Sequence, residues 1–375
     1  MTVSYEDVVG AARRVGGHVL RTPVLEIAPG RFLKLEQLQH SGSFKVRGAF
    51  NRILSAGELP AAGVIAASGG NHGLAVAYAA RSLGVRAEIF VPEVTSPVKV
   101  AGLRALGARI TQTGAVYAEA AGAAAKRAAE TGALHVHAYD QPEVVAGQGT
   151  TGLELMDQTG GVDTIVVAVG GGGFAAGIAV GGGAHGEAHG EAHGETVAGG
   201  GARGEAAVGG GARGARGGVA VDGGVRGEVM VGGGARGEVM VGGGRGFGSP
   251  DAGGPTIVAV EPERIPTLRA ALAAGRPVPV PVSGVAADAL GATQLGDLAY
   301  DILSRSRLRS VLVTDDAIVA ARRTLWEEHR LVAEHAGSTA YAALLSGGYV
   351  PEPGERVAIV VCGSNTDPAT LAAEG

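Results

Sequence analysis

Apolar positions along the chain follow two rhythms. Short runs rich in Val, Ile, Leu and Ala alternate with longer alanine-rich stretches in which apolar residues recur every three or four positions. The first rhythm suits strands buried on both faces, the second amphipathic helices. The runs predict strands over Gly63–Ala67, Ala87–Val91, Arg109–Gln112, Leu134–Ala138, Thr164–Val169, Thr256–Val260 and Arg356–Val361. The stretches predict helices over Asn71–Leu83, Pro97–Leu106, Val116–Thr131, Pro142–Gln158, Pro266–Ala274, Asp315–His329 and Ser338–Ser346. Start punctuation supports two of these, at Asp140-Gln-Pro142 and Thr314-Asp-Asp316, where proline or acidic residues favour a first helical turn. Strand alternating with helix is the pattern of βα units feeding a mostly parallel sheet, so the expected fold class is α/β.

One stretch breaks the alternation. From Gly181 to Gly254, 30 of 74 residues are glycine, out of 67 in the chain, in units such as Gly-Glu-Ala-His and Gly-Gly-Gly-Ala-Arg-Gly-Glu-Val-Met-Val. Glycine at that density makes ordering costly, and the few Val and Met residues offer little to bury. A low-complexity, disordered surface insertion is therefore expected over 181–254. Its period sets His185, His189 and His193 four apart, a metal-binding spacing only on a helix, which the intervening glycines disfavour. A second stretch, Thr164–Gly183, is uncharged and close to bilayer length, yet holds Gly170–Gly173 in its middle. It reads as strand, glycine loop and helix start, not as a membrane span.

Composition narrows the function classes. With 31 Lys and Arg against 36 Asp and Glu, the formal charge of the 375 residues is -5. No basic run is dense enough to track a phosphate backbone or an anionic membrane, so the expected partner is a small molecule, with no nucleic acid and no membrane. The single cysteine, Cys362, leaves no internal disulfide, and the N-terminal segment carries acids where a signal peptide would be apolar. Cytoplasmic residence is the expectation.

Four short segments have the composition of a chemical site. In Ser41-Gly42-Ser43-Phe44-Lys45-Val46-Arg47-Gly48-Ala49, a lysine sits just inside an expected helix start among small residues. Burial and the positive helix end would lower its pKa, as a Schiff-base nucleophile needs; the plain alternative is a surface lysine beside a turn. Ser68-Gly69-Gly70-Asn71-His72-Gly73 lies between strand and helix; it reads equally as a carboxylate-binding loop or as an ordinary turn. Val169-Gly170-Gly171-Gly172-Gly173-Phe174 repeats that placement with four glycines, which either allow the backbone to wrap a phosphate or form a plain flexible turn, and it lacks the spacing of a dinucleotide fingerprint. Cys362 ends the last predicted strand, either as a small core residue or at the sheet edge where open α/β folds bind ligands.

Taken together and in this order, the segments resemble the threonine/serine dehydratase and serine racemase family of fold-type II pyridoxal-phosphate (PLP) enzymes. The resemblance covers nearly the whole chain outside 181–254 and is most specific at Ser43-Phe44-Lys45-Val46-Arg47-Gly48 and Ser68–Gly73. It implies a two-domain, tryptophan-synthase-β-like fold, with a small domain over 49–140 inserted into a large one built from 1–48 and 141–375. It also implies PLP as cofactor, Lys45 as Schiff-base lysine and carrier of the Cα proton, and Phe44 beside the cofactor. By the same resemblance Asn71 donates to the ring 3′-oxygen, Ser68 and its loop take the substrate carboxylate, and Gly170, Gly171, Gly172, Gly173 and Phe174 hold the phosphate. Cys362 falls beside the pyridine nitrogen. A thiol there, unlike a carboxylate, does not force that nitrogen to be protonated, which favours elimination over transamination.

The implied activity is loss of water and then ammonia from L-serine or L-threonine, giving pyruvate or 2-oxobutyrate, in a homodimer. Two departures from the family pattern bear on this. Family racemases resemble this chain but carry a second serine where it has Gly69, so racemisation should lack its opposite-face acid. Glu261 matches a family metal-ligand position, but its expected acidic neighbour is Thr267, a thin set for a hard divalent ion, and no metal is assigned. The chain ends soon after Cys362, so no regulatory domain is expected. The rival readings are a serine racemase, a dehydratase of another β-hydroxy amino acid such as 3-hydroxyaspartate, and an idle PLP-binding protein whose insertion is the working part.

Overall fold

The computed structural model describes residues 2–183 and 254–373. Ten strands occur among them: β1 (Val24–Ala28), β2 (Arg31–Leu35), β3 (Val64–Ala67), β4 (Ala87–Val91), β5 (Arg109–Gln112), β6 (Leu134–His135), β7 (Thr164–Ala168), β8 (Thr256–Pro262), β9 (Leu308–Val313) and β10 (Val357–Val361). They form a six-stranded sheet in the order β1-β2-β10-β7-β8-β9 and a four-stranded sheet in the order β5-β4-β3-β6. Only β1 and β2 pair antiparallel; every other ladder is parallel. The helices that matter for the site are α1 (Tyr5–Val15), α2 (Lys45–Leu54), α3 (Asn71–Ser82), α4 (Pro97–Ala105), α5 (Tyr117–Thr131), α6 (Pro142–Thr159) and α7 (Gly173–Gly183).

The interior strands show why the sheets are parallel. In β3, β7 and β10 every residue is buried, as expected when helices cover both faces. Alternate side chains of β3 enter different cores: Val64 and Ala66 pack with Ala75, Ala79 and Ile89, whereas Ile65 and Ala67 pack with Phe90, Ala120 and Ala124. The large sheet has its own core around Leu33, Ile165, Val166, Ile257, Val258 and Ile359. Each fully buried aliphatic side chain of this kind contributes about 1.5–3 kcal/mol.

The expected strands and helices are found, with informative differences. β6 stops at His135 instead of reaching Ala138, because side chains take over the backbone bonds there. His137 Nδ1 accepts from Asp140 N at 2.9 Å, and Gln141 Oε1 accepts from His137 N at 2.9 Å. The hairpin β1–β2 and the edge strand β9 are additions to the expected set, as is α1. Thr164–Gly183 is strand, glycine loop and helix, as expected. The insertion expected over 181–254 lies outside the described residues from 184 to 253, and so does the His185, His189 and His193 series. The described ends adjoin: a Cβ built on Gly254 would fall 2.8 Å from the Cα of Gly183. Among the described residues no helix is long and apolar enough to cross a membrane.

Helix α6 lies backbone against backbone on two others. A Cβ on Gly147 would fall 2.7 Å from the carbonyl oxygen of Arg47 in α2. On the next faces, a Cβ on Gly177 of α7 would fall 2.4 Å from Val145 O, and one on Gly181 2.2 Å from Gly149 O. Real Cβ atoms do not approach backbone so closely, so these glycines set the spacing of the three helices.

Candidate active site

Lys45 is the first residue of α2. The preceding loop is tied to the carboxyl end of β10 by Phe44 N, which donates to Cys362 O at 3.3 Å, and by a bridge between Ser43 and Gly363. The lysine is half-buried and its Nζ donates to Ala138 O at 2.8 Å. Burial pushes its amine down to about 8 from the usual 10.5, so a substantial neutral fraction exists near physiological pH. Phe44 stacks on Phe174 with ring centroids 3.7 Å apart.

Gly170–Gly173 connects β7 to the first turn of α7, whose backbone N–H groups lack intrahelical acceptors and carry the positive end of the helix dipole. Gly172 has φ +82°, a left-handed conformation that favours glycine. Side chains have no room at its neighbours: a Cβ would fall 2.4 Å from the Tyr139 ring at Gly171 and 2.2 Å from Tyr139 O at Gly173. A narrow cleft opens at this loop. Its walls hold Phe44, Lys45, Asn71, Gly170, Gly171, Gly172, Gly173, Phe174 and Cys362, together with Tyr139, Glu334 and Leu290. An amine of lowered pKa, a glycine cradle at a helix N-terminus and an amide donor in one cleft fit an aldehyde-bearing aromatic phosphate such as PLP.

Ser68, expected in the same site, lies just outside that wall. It follows β3, and its hydroxyl accepts from Gly70 N at 3.1 Å, which shapes the Ser68–Asn71 turn. His72, the next residue of α3, is buried with Nε2 at 2.9 Å from Val136 O. Burial, with the Lys45 charge nearby, pushes its imidazole down to about 3, so it stays neutral and structural. Cys362 is buried, and burial pushes its thiol up from the usual range.

Two polar wall residues are absent from the sequence reading. Tyr139 packs on the glycine loop, and Glu334, 8% exposed, accepts from Asn71 Nδ2 at 2.6 Å. Burial pushes the Glu334 carboxyl up to about 7, although the Asn71 amide holds it down. The local signal for Glu334 is an acid directly before a helix: that helix begins at His335, not at Ser338 as expected, with Glu334 at its N-cap.

Glu261, weighed as a metal ligand, is committed to the chain itself. Its carboxylate accepts from Leu268 N at 2.6 Å and Arg269 N at 3.0 Å, capping the helix Thr267–Ala274. Thr267 Oγ1 lies 3.1 Å from Glu261 Oε1 and donates to Gly170 O at 2.5 Å, which links this cap to the glycine loop. Among the described residues no three His, Cys, Asp or Glu side chains gather in a metal-binding group.

Behind α2 lies a buried ionic cluster. Arg47 donates from Nε to Glu36 Oε2 at 2.8 Å and from Nη2 to Glu36 Oε1 at 2.7 Å, and its Nη2 lies 3.1 Å from Glu154 Oε2. Lys34 donates to Glu154, to Gln158 Oε1 at 2.8 Å and to Thr22 O at 2.9 Å. Two basic and two acidic side chains thus neutralise one another two residues from Lys45.

Parallel sheets, a lysine-bearing cleft and a glycine cradle define a class of α/β enzyme that works through a bound cofactor. The pattern of the family described as "Pyridoxal-phosphate dependent enzyme" matches residues 15–209 and 221–363. The chain is 31% identical over 373 residues to an L-threonine ammonia-lyase of Thermotoga maritima, which spans 97% of this chain and 76% of the relative. It is 30% identical over 377 residues to phenylserine dehydratase of Ralstonia pickettii, over 97% of this chain and 94% of that one. The structure of maize serine racemase superposes with a TM-score of 0.75 at 25% identity, covering 100% of this chain and 97% of the racemase. The chain belongs to the pyridoxal-phosphate dependent enzyme family, within its fold-type II branch, and its cofactor is PLP.

Proposed function

We propose that this chain is an ammonia-lyase that converts L-threonine to 2-oxobutyrate, or L-serine to pyruvate, with release of ammonia. The observation that carries the reading is the Lys45 amine, lowered to about 8 and opening on the same cleft as Gly170–Gly173. The similarity to L-threonine ammonia-lyase over most of both chains supports the choice of reaction.

When bound, PLP supplies the aldehyde that captures the substrate amine and a ring that withdraws electrons from Cα. Gly170, Gly171, Gly172, Gly173 and the first turn of α7 would hold its phosphate, Asn71 its ring oxygen, Phe44 and Phe174 its flanks. Lys45 Nζ takes the Cα proton of the substrate; a lowered pKa lets one amine both accept and return a proton. Ser68 and the N–H groups of the Ser68–Asn71 turn orient the substrate carboxylate. Cys362 stays an uncharged thiol and would place no negative charge on the ring that the cleft holds. The β-hydroxyl leaves as water, and hydrolysis of the remaining enamine returns a water and frees ammonia, so the net products are a 2-oxo acid and ammonia. Gly69 offers no hydroxyl to deliver a proton to the opposite face, which favours elimination over racemisation.

The same reading treats 49–140 as a small domain inserted in a large one formed by 1–48 and 141–375, and the active species as a cytoplasmic homodimer. The test is a coupled keto-acid assay of PLP-loaded protein over serine, threonine, 3-hydroxyaspartate and phenylserine, with borohydride reduction to locate the attached lysine. Keto acid from serine or threonine, and cofactor fixed to Lys45, is the expected outcome. Attachment at another side chain, or no keto acid from either substrate, overturns the proposal.

A further inference from the structure

The amide of Asn71 is held at both ends by residues far from it in sequence. Its Nδ2 donates to Glu334 Oε1 at 2.6 Å, and its Oδ1 accepts from Asn365 Nδ2 at 2.7 Å. Asn365 is itself fixed to the loop before α2, because the same Nδ2 donates to Ser41 O at 2.8 Å. Glu334 is fixed to the end of β10 through its N–H, which donates to Gly363 O at 3.0 Å. Gly363 also makes the room: a Cβ there would fall 2.2 Å from Glu334 Oε1 and 3.3 Å from Asn71 Nδ2.

A side-chain amide has two orientations related by a half-turn, and its partners decide between them. Turned over, Asn71 would set its oxygen against the Glu334 carboxylate and its NH₂ against the NH₂ of Asn365. The contact with Asn365, whose NH₂ is fixed by Ser41 O, would be between two donors at any pH, and the contact with Glu334 between two acceptors while that carboxyl is ionised. The arrangement therefore selects one orientation, and in it the second Nδ2 hydrogen has no protein acceptor among the described residues. Asn71 and Glu334 both line the cleft that carries Lys45.

We propose that Glu334 and Asn365 are positioning residues that clamp the Asn71 amide, so that it presents a hydrogen-bond donor, and never an acceptor, to an oxygen of the group bound in the cleft. The inference rests on the cofactor reading above for the identity of that group, and on the geometry alone for the clamp.

The experiment is a double-mutant cycle on apoprotein titrated with PLP, followed by absorbance, with folding checked by circular dichroism. Glu334→Leu is expected to weaken PLP binding roughly tenfold, the effect of one hydrogen bond lost or misdirected. It should also shift the band of the bound cofactor, and do little more to either in an Asn71→Ala background. Glu334→Gln, which keeps an accepting oxygen, should recover most of the affinity. Asn365→Ala, at an exposed position, should weaken binding in the same direction and supplies the cycle if Glu334→Leu does not fold. Equal losses in wild-type and Asn71→Ala backgrounds, or an unchanged affinity and band, would overturn the clamp. Should wild-type apoprotein take up no PLP, the cofactor reading falls, and the same cycle read in denaturant unfolding decides the clamp: coupling between 334 and 71 supports it, additivity overturns it.

Discussion

Lys45 and Ala138 are 93 residues apart, yet the amine of the first donates to the carbonyl oxygen of the second at 2.8 Å. The next residue, Tyr139, supplies both the ring and the carbonyl oxygen against which Gly171 and Gly173 pack. One short segment after β6 therefore registers the lysine against the glycine loop.

The lowered pKa of Lys45 has a kinetic consequence. Only the neutral amine adds to an aldehyde, so the rate at which apoprotein takes up PLP should rise with pH and level off above an inflection near 8, not near 10.5. Stopped-flow absorbance across that range checks it. The sign for stability follows: the folded value lies below the unfolded one, so the lysine destabilises apoprotein fully below pH 8, and the penalty fades as the pH rises toward 10.5. Lys45→Met should accordingly be more stable than wild-type apoprotein at pH 7, with the gap closing in alkali.

The two flanking glycines of the cradle should respond differently to a methyl group. Gly171→Ala meets the ring of Tyr139, a side chain, whereas Gly173→Ala meets its carbonyl oxygen. Each should cost about 1–3 kcal/mol of stability and weaken PLP binding at least tenfold. Adding Tyr139→Leu should restore much of the loss for Gly171→Ala and none of it for Gly173→Ala, read as melting temperature and cofactor affinity.

Arg47→Met should be destabilising by about 3–5 kcal/mol, because it strands the fully buried Glu36 carboxylate. Against burial, which alone would raise it, Arg47 holds Glu36 below the usual 4.5. The pair's contribution is therefore fully present above pH 4.5 and lost as the pH falls through the lowered value. Urea midpoints at pH 7 should show the full difference between wild type and variant, and the difference should shrink in acid.

Gly69 tests the choice between elimination and racemisation. A Cβ there would lie 2.9 Å from Thr95 Cγ2, so Gly69→Ser alone is crowded and Gly69→Ser with Thr95→Ala is not. The double variant should form D-serine from L-serine at least tenfold faster than wild type, measured by chiral chromatography. No increase in D-serine would show that the missing hydroxyl is not what limits racemisation.

The parts of the fold visible in the sequence are those in which burial is uniform. Thr164–Ala168 and Val357–Val361 are buried on both faces and read as continuous apolar runs. Val24–Ala28 is an edge strand with Leu25 and Glu26 both exposed, so neither period shows. Leu308–Val313 carries Arg309 and Ser310 in its middle, where Arg269 bonds to Ser310, and this hid a second edge strand. At the site, the glycines and Lys45 are legible because local chain geometry restricts them. Glu334 is not, because its meaning lies in a bond to Asn71, 263 positions away.

The glycine contacts of α6 with α2 and α7 bear on how displacement travels through the molecule. Side chains absorb small movements by changing rotamer, and these joints have none to change, so they also lose no rotamer entropy on forming. In these joints no side chain stands between α6 and the backbones of the helices that carry Lys45 and Gly173, so a displacement of α6 meets nothing soft before it reaches either one.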